Sequence, residues 1–103
     1  MDMTFHVSPG VSKKIPPEIQ FLVWFVLKKA IENAPLQKYL QIFLLTKNGQ
    51  GVQQIRYWPE SQTSTVDYTF PVLTPVNAEV FILCGEKSYT MILRKELECD
   101  PYE

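Results

Sequence analysis

Histidine, cysteine and glycine are scarce in this chain, and each scarcity removes a class of function. One histidine, two cysteines and four glycines occur in 103 residues. Metal sites need clustered His, Cys or carboxylate ligands. His6 has no second histidine, and Cys84 and Cys99 lie fifteen positions apart with no CxxC spacing. The pattern predicts no metal and no cofactor, and it is too sparse for a secreted disulfide scaffold. Gly49-Gln50-Gly51 lacks the GxxxxGK[ST] spacing of a phosphate loop and sits between expected strands.

Long apolar runs are also missing. The longest, Phe21–Leu27, has seven residues, whereas a membrane span needs about 20. No leader-like apolar segment follows Met1, so a cytoplasmic protein is expected. Neither charge sign is in excess. Ten basic and eleven acidic side chains give a net charge of -1. A nucleic-acid-binding domain usually shows a basic surplus or stripe. Glu96, Glu98, Asp100 and Glu103 read as an acidic C-terminal tail over 96–103.

What is present is apolar and aromatic. Hydrophobic residues make up 46% of the chain and aromatics 13%, enough for one domain over residues 1–95 with its own core. Pro17 and Glu18 suit the start of a helix, through the missing N–H and the helix dipole respectively. Ala34 precedes Pro35, which ends the helix near Asn33 after roughly 16–18 residues. At 100° per residue, Ile19, Leu22, Val23, Val26, Leu27 and Ala30 share one arc, the expected core face. Phe21, Trp24 and Phe25 fall outside it.

The remainder reads as strands. Met3–Ser8 comes first, broken by Pro9-Gly10, with 11–15 as a loop or edge extension. Tyr39–Thr46 is nearly continuous in hydrophobicity, as a central strand should be. The Asn48-Gly49 turn supplies positive φ and returns the chain through Gln53–Trp58. Thr65–Phe70, Glu79–Cys84 and Tyr89–Arg94 alternate with period two. The expected fold class is α+β. One long helix packs on an antiparallel sheet of five or six strands, in the order β-α-β-β-β-β-β.

Two segments carry a resemblance. Ile15-Pro16-Pro17-Glu18-Ile19-Gln20 with Trp24, and Tyr39-Leu40-Gln41-Ile42-Phe43, resemble a small family of uncharacterised Gram-positive Firmicutes proteins. Gly10-Val11 matches a further element of that family, and Lys38 stands where it has an acid. The likeness spans Gly10 to about Leu45. It implies a bacterial cytoplasmic protein and transfers no activity; Gln20 and Gln41, within the matching motifs, are expected to hydrogen-bond within the fold.

Catalysis is not expected. A nucleophile needs an oriented base. Cys84 alternates with Val80 and Ile82 on a strand, and Cys99 sits among acids that raise its pKa. Asp67 and Glu79 are the one acid–base pair worth weighing. Two binding readings remain. In the first, surplus aromatics form an interaction surface, Phe21, Trp24 and Phe25 with Tyr57 and Trp58, for a protein partner or a homo-oligomer. In the second, the open sheet face binds single-stranded nucleic acid through Arg56, Trp58, Tyr39, Phe43 and Lys47.

Overall fold

The computed structural model describes residues 4–33, 40–49, 51–60, 64–85 and 88–98. The chain runs β1 (Thr4–Val7), α1 (Pro9–Lys14), α2 (Pro17–Asn33), β2 (Leu40–Lys47), β3 (Val52–Pro59), β4 (Val66–Pro71), β5 (Ala78–Cys84), β6 (Ser88–Leu93) and α3 (Arg94–Glu98). The α+β class and the long helix between the first and second strands agree with expectation. There are three helices among the described residues, where one was expected.

The first unexpected helix begins at the supposed break. Ser8 caps α1, its side chain accepting from the Val11 N–H, and Pro9 occupies the first turn, where its missing N–H costs nothing. Pro-Gly therefore starts an element instead of ending one. The second, α3, takes Glu96 and Glu98 out of the supposed tail; residues 99–103 lie outside the described residues.

The six strands form one sheet in the order β1-β6-β5-β2-β3-β4. All neighbours are antiparallel except β1 and β6, which run parallel. β2, β3 and β4 form a meander. The chain then crosses back through 72–77 to lay β5 beside β2, which is Greek-key connectivity. The turn between β2 and β3 places its positive φ angles on Gly49 (80°) and Gly51 (72°), not on Asn48.

Buried Gln53 holds the crossover. It occupies a core-facing position of β3, and its amide pairs with the Val76 backbone as another strand would. Val76 N–H donates to Gln53 Oε1 at 2.8 Å, and Gln53 Nε2 donates to Val76 O at 3.0 Å. A buried amide left unpaired costs about 1–3 kcal/mol, so these bonds fix where the crossover lies.

Period two decides the two faces. Phe43, Leu45, Ile55, Tyr57, Val80, Ile82, Met91 and Leu93 share one core with Ile19, Val23, Val26 and Leu27 of α2 and with Val11 and Ile15. Each fully buried Ile, Val or Leu contributes about 1.5–3 kcal/mol. Gln41 lies buried among them and accepts from the Tyr57 hydroxyl; Gln20 donates to Ile15 O at 2.8 Å, bridging the join of α1 and α2. Both glutamines thus bond within the fold. The opposite face carries Leu40, Ile42, Leu44, Arg56, Trp58, Glu79, Phe81, Leu83 and Ile92.

Candidate functional site

Helix α2 spreads its surplus aromatics over both flanks. On the β1 side, Trp24 meets Phe5 edge-on at 5.0 Å between ring centroids, and Phe5 lies 5.6 Å from Tyr89. Such aromatic pairs contribute about 0.5–1.5 kcal/mol beyond simple burial. On the β4 side, Phe25 meets Phe70 edge-on at 6.0 Å, and Lys29 lies over the Phe25 ring, 5.6 Å from its centroid. Phe21 stands between the flanks and is 69% exposed.

These side chains bound a groove of about 560 Å³ between α2 and the edge of the sheet. Its walls are Phe5, Phe21, Trp24, Phe25 and Tyr89, with Leu27 and Ile31 beneath and Lys28 and Glu32 at the rim. The lining is almost wholly apolar. Phe5 remains 59% exposed even with two ring partners, because β1 is a four-residue strand at the edge of the sheet, with no neighbour beyond it among the described residues.

Of the five side chains expected to share an aromatic surface, three line this groove: Phe21, Trp24 and Phe25. Tyr57 does not. It is 6% exposed and lies in the core with its ring tilted against that of Phe43, 5.1 Å between centroids. Trp58, one residue on, faces the opposite side of the sheet, because neighbouring strand residues point to opposite faces. Phe5 and Tyr89 complete the groove and were missed. Their signal was the alternation of Phe5 with Val7 and of Tyr89 with Met91, but only the parallel β1–β6 pairing sets Phe5 opposite Tyr89.

The expected nucleic-acid set also divides. Phe43 is fully buried beneath α2, and Lys47 shares its side of β2. Tyr39 lies outside the described residues. Arg56 and Trp58 do face the open side, but Arg56 is held bidentately by Asp67, at 2.7 and 3.3 Å. On the same face Arg94 holds Glu79, at 2.9 and 3.0 Å. Both arginines there are already paired with carboxylates.

Little in the described residues suits catalysis. Burial pushes the Cys84 thiol up to about 11, so it stays protonated and unreactive at neutral pH. Burial, aided by Cys84 and Tyr68, pushes Tyr57 up to about 12. Asp67 and Glu79 are not an acid–base pair: two strands separate β4 from β5, and each carboxylate binds its own arginine. Among the described residues no three His, Cys, Asp or Glu side chains gather where a metal ion could bind. No helix among them is long and apolar enough to cross a membrane.

Fold and groove together define a small α+β module with a mostly antiparallel sheet and an apolar recess along its long helix. Residues 5–96 match the family DUF960, described as staphylococcal protein of unknown function, and the chain belongs to that family. No curated protein matches it. Its fold is similar to that of a crystallised protein of unknown function from Enterococcus faecalis, with a TM-score of 0.79 at 16% identity, covering 91% of this chain and 90% of that one. The resemblance to a small family of uncharacterised Firmicutes proteins is thereby shown.

Proposed function

We propose that this protein is a non-catalytic, cytoplasmic interaction module, and that the groove between α2 and β1 receives an apolar segment of a partner protein. The supporting observation is the exposure of Phe21 and Phe5 at the mouth of a recess walled by three further aromatic rings. Aromatic side chains are enriched at interface cores, and clustered exposed apolar surface marks contact sites. Lys28 and Glu32 at the rim offer one charge of each sign, which suits orientation of a peptide more than capture of a charged polymer.

The test is site-specific photocrosslinking in the native cell from position 21, with position 73 as control. Leu73 is 92% exposed and lies outside the groove. A protein captured from position 21 alone is then purified. It is expected to bind the wild type and the Leu73→Asp variant equally, and the Phe21→Asp variant at least about tenfold more weakly, as loss of an aromatic anchor entails. Equal binding to all three proteins would remove the groove from consideration.

A further inference from the structure

Among the described residues no helix packs on the face of the sheet opposite α2, and that face has a charge order that the groove does not explain. One row of side chains crosses four strands there and is extended by Arg94 at the start of α3. Glu79 is opposite Leu44, Leu44 opposite Arg56, and Arg56 opposite Asp67, while Arg94 reaches Glu79 from the end of β6. Read across the sheet, the row is Arg94, Glu79, Leu44, Arg56, Asp67: plus, minus, neutral, plus, minus. The sequence is antisymmetric about Leu44. Beside it runs an apolar row, Ile92, Phe81, Ile42 and Trp58, again in register. Leu40 and Leu83 follow.

We propose that this face is the interface of a homodimer, two sheets packed face to face about a two-fold axis parallel to β2 and passing over Leu44 and Ile42. That operation exchanges left and right across the sheet and keeps each row against its own copy. Arg94 of one protomer then meets Asp67 of the other, and Glu79 meets Arg56. Leu44 meets Leu44, Ile42 meets Ile42, and Trp58 covers Phe81. An axis perpendicular to the strands fails. Passed over the charged row, it sets Arg94 on Arg94 and Glu79 on Glu79; passed over the apolar row, it presses the charges onto Leu40 and Leu83. An isologous contact requires such self-complementarity, and aligned packing of sheets about 10 Å apart supplies the geometry.

The three rows, about 6.8 Å apart across columns about 4.8 Å apart, span roughly 490 Å² per protomer. Doubled, this reaches about 980 Å², the size of a weak, reversible contact. Ile42, Leu44, Trp58, Leu83 and Ile92 all keep part of their surface open. Phe81 and Leu40, at 9% and 8% exposure, are nearly covered by the protomer itself and stand apart from the core beneath the helices.

Light scattering and sedimentation equilibrium of the full chain test the assignment. A mass of twice 12.0 kDa is expected. Arg56→Glu places like charge against the partner's Glu79 and is expected to raise the dimer dissociation constant at least about tenfold, in the range of measured couplings of close interfacial charge pairs. The double variant Arg56→Glu with Glu79→Lys reverses both ends and restores association. Within one protomer the same double variant sets like charges beside Arg94 and Asp67, so recovery can only come from the contact between protomers. Circular dichroism confirms that each variant is folded. A wild type that stays monomeric at high micromolar concentration overturns the proposal. So does a dimer indifferent to Arg56→Glu but dissociated by Phe21→Asp, which would place self-association in the groove.

Discussion

The carboxylate of Glu96 occupies the space into which a side chain on residue 10 would project. A Cβ built on Gly10 would lie 2.7 Å from Glu96 Cδ and 2.8 Å from both carboxylate oxygens. In that position Glu96 accepts from the Ser8 hydroxyl, from Gly10 N–H at 3.1 Å and from Leu93 N–H at 2.9 Å. One side chain thereby ties the start of α1 to the end of β6. Gly10→Ala displaces the Glu96 carboxylate from its donors and is expected to cost about 1–3 kcal/mol, as lost hydrogen bonds to a charged group do. For a chain of this length that lowers Tm by roughly 4–8 °C per kcal/mol, read by thermal denaturation.

Glu96 also gives stability a pH dependence. Partial burial opposes its charge, but the bonds from Ser8, Leu93 and Gly10, with nearby Lys14, outweigh burial and hold its pKa below the ordinary 4.5. A carboxyl depressed in the folded state contributes stability that is fully present above its unfolded value and is lost as pH falls through the folded one. Urea midpoints are expected to decline below about pH 4.5, and the decline should be shallower in Glu96→Gln. Identical acid profiles for the two proteins would remove this carboxylate as the cause.

At the alkaline end the sign is opposite. Burial raises Cys84 from 9.0 to about 11 and Tyr57 from 10.0 to about 12. Groups raised in this way contribute stability that is present below the unfolded value and lost as pH rises through the folded one. Stability should hold to about pH 9 and then fall through about pH 12. Cys84→Ala should delay the onset of that fall. Native Cys84 should also react with a thiol reagent at pH 8 much more slowly than it does in urea.

The Gln53 clamp predicts a local effect. Gln53→Leu keeps the bulk but removes both bonds to Val76. The expected loss is about 1–3 kcal/mol for the stranded backbone groups. Hydrogen exchange at the Val76 amide should accelerate more than at Val80, four residues further on within β5. Uniform acceleration at both positions would mean global destabilisation, not release of the crossover.

Exposure separates function from stability along α2 and β2. Phe21→Ser should change stability by no more than about 0.5 kcal/mol, as exposed surface substitutions do. Phe43→Ala, at a fully buried position, should cost about 3–5 kcal/mol. Paired denaturation curves check both values, and a large loss at Phe21 would mean that it belongs to the core.

The division of the chain into its long helix and strands was largely legible in the sequence. Period-two alternation grouped Ile55 with Tyr57, Val80 with Ile82 and Met91 with Leu93, because a strand's pleat leaves no other choice; it did not say which face the helix covers, and Phe43, expected on the open face, is buried. The 100° arc likewise identified Ile19, Val23, Val26 and Leu27. Alternation also contained the evidence against placing Tyr57 and Trp58 on one surface, since adjacent strand residues face apart. Other features had no local signal. Gly10 looks like a breaker until Glu96, 86 positions later, explains why no side chain fits there.

Local preference, then, determined which residues form the long helix and the strands, and which side chains of a strand share a face. Tertiary structure decided the rest: that β5 returns beside β2, that β1 runs parallel to β6, and hence that Phe5 joins Trp24 and Tyr89. Those pairings depend on contacts between segments far apart in the chain, whose closure entropy and packing no local window contains. The groove and the charged row both arise from such pairings. The side chains are given by sequence, but their neighbours are chosen by the fold.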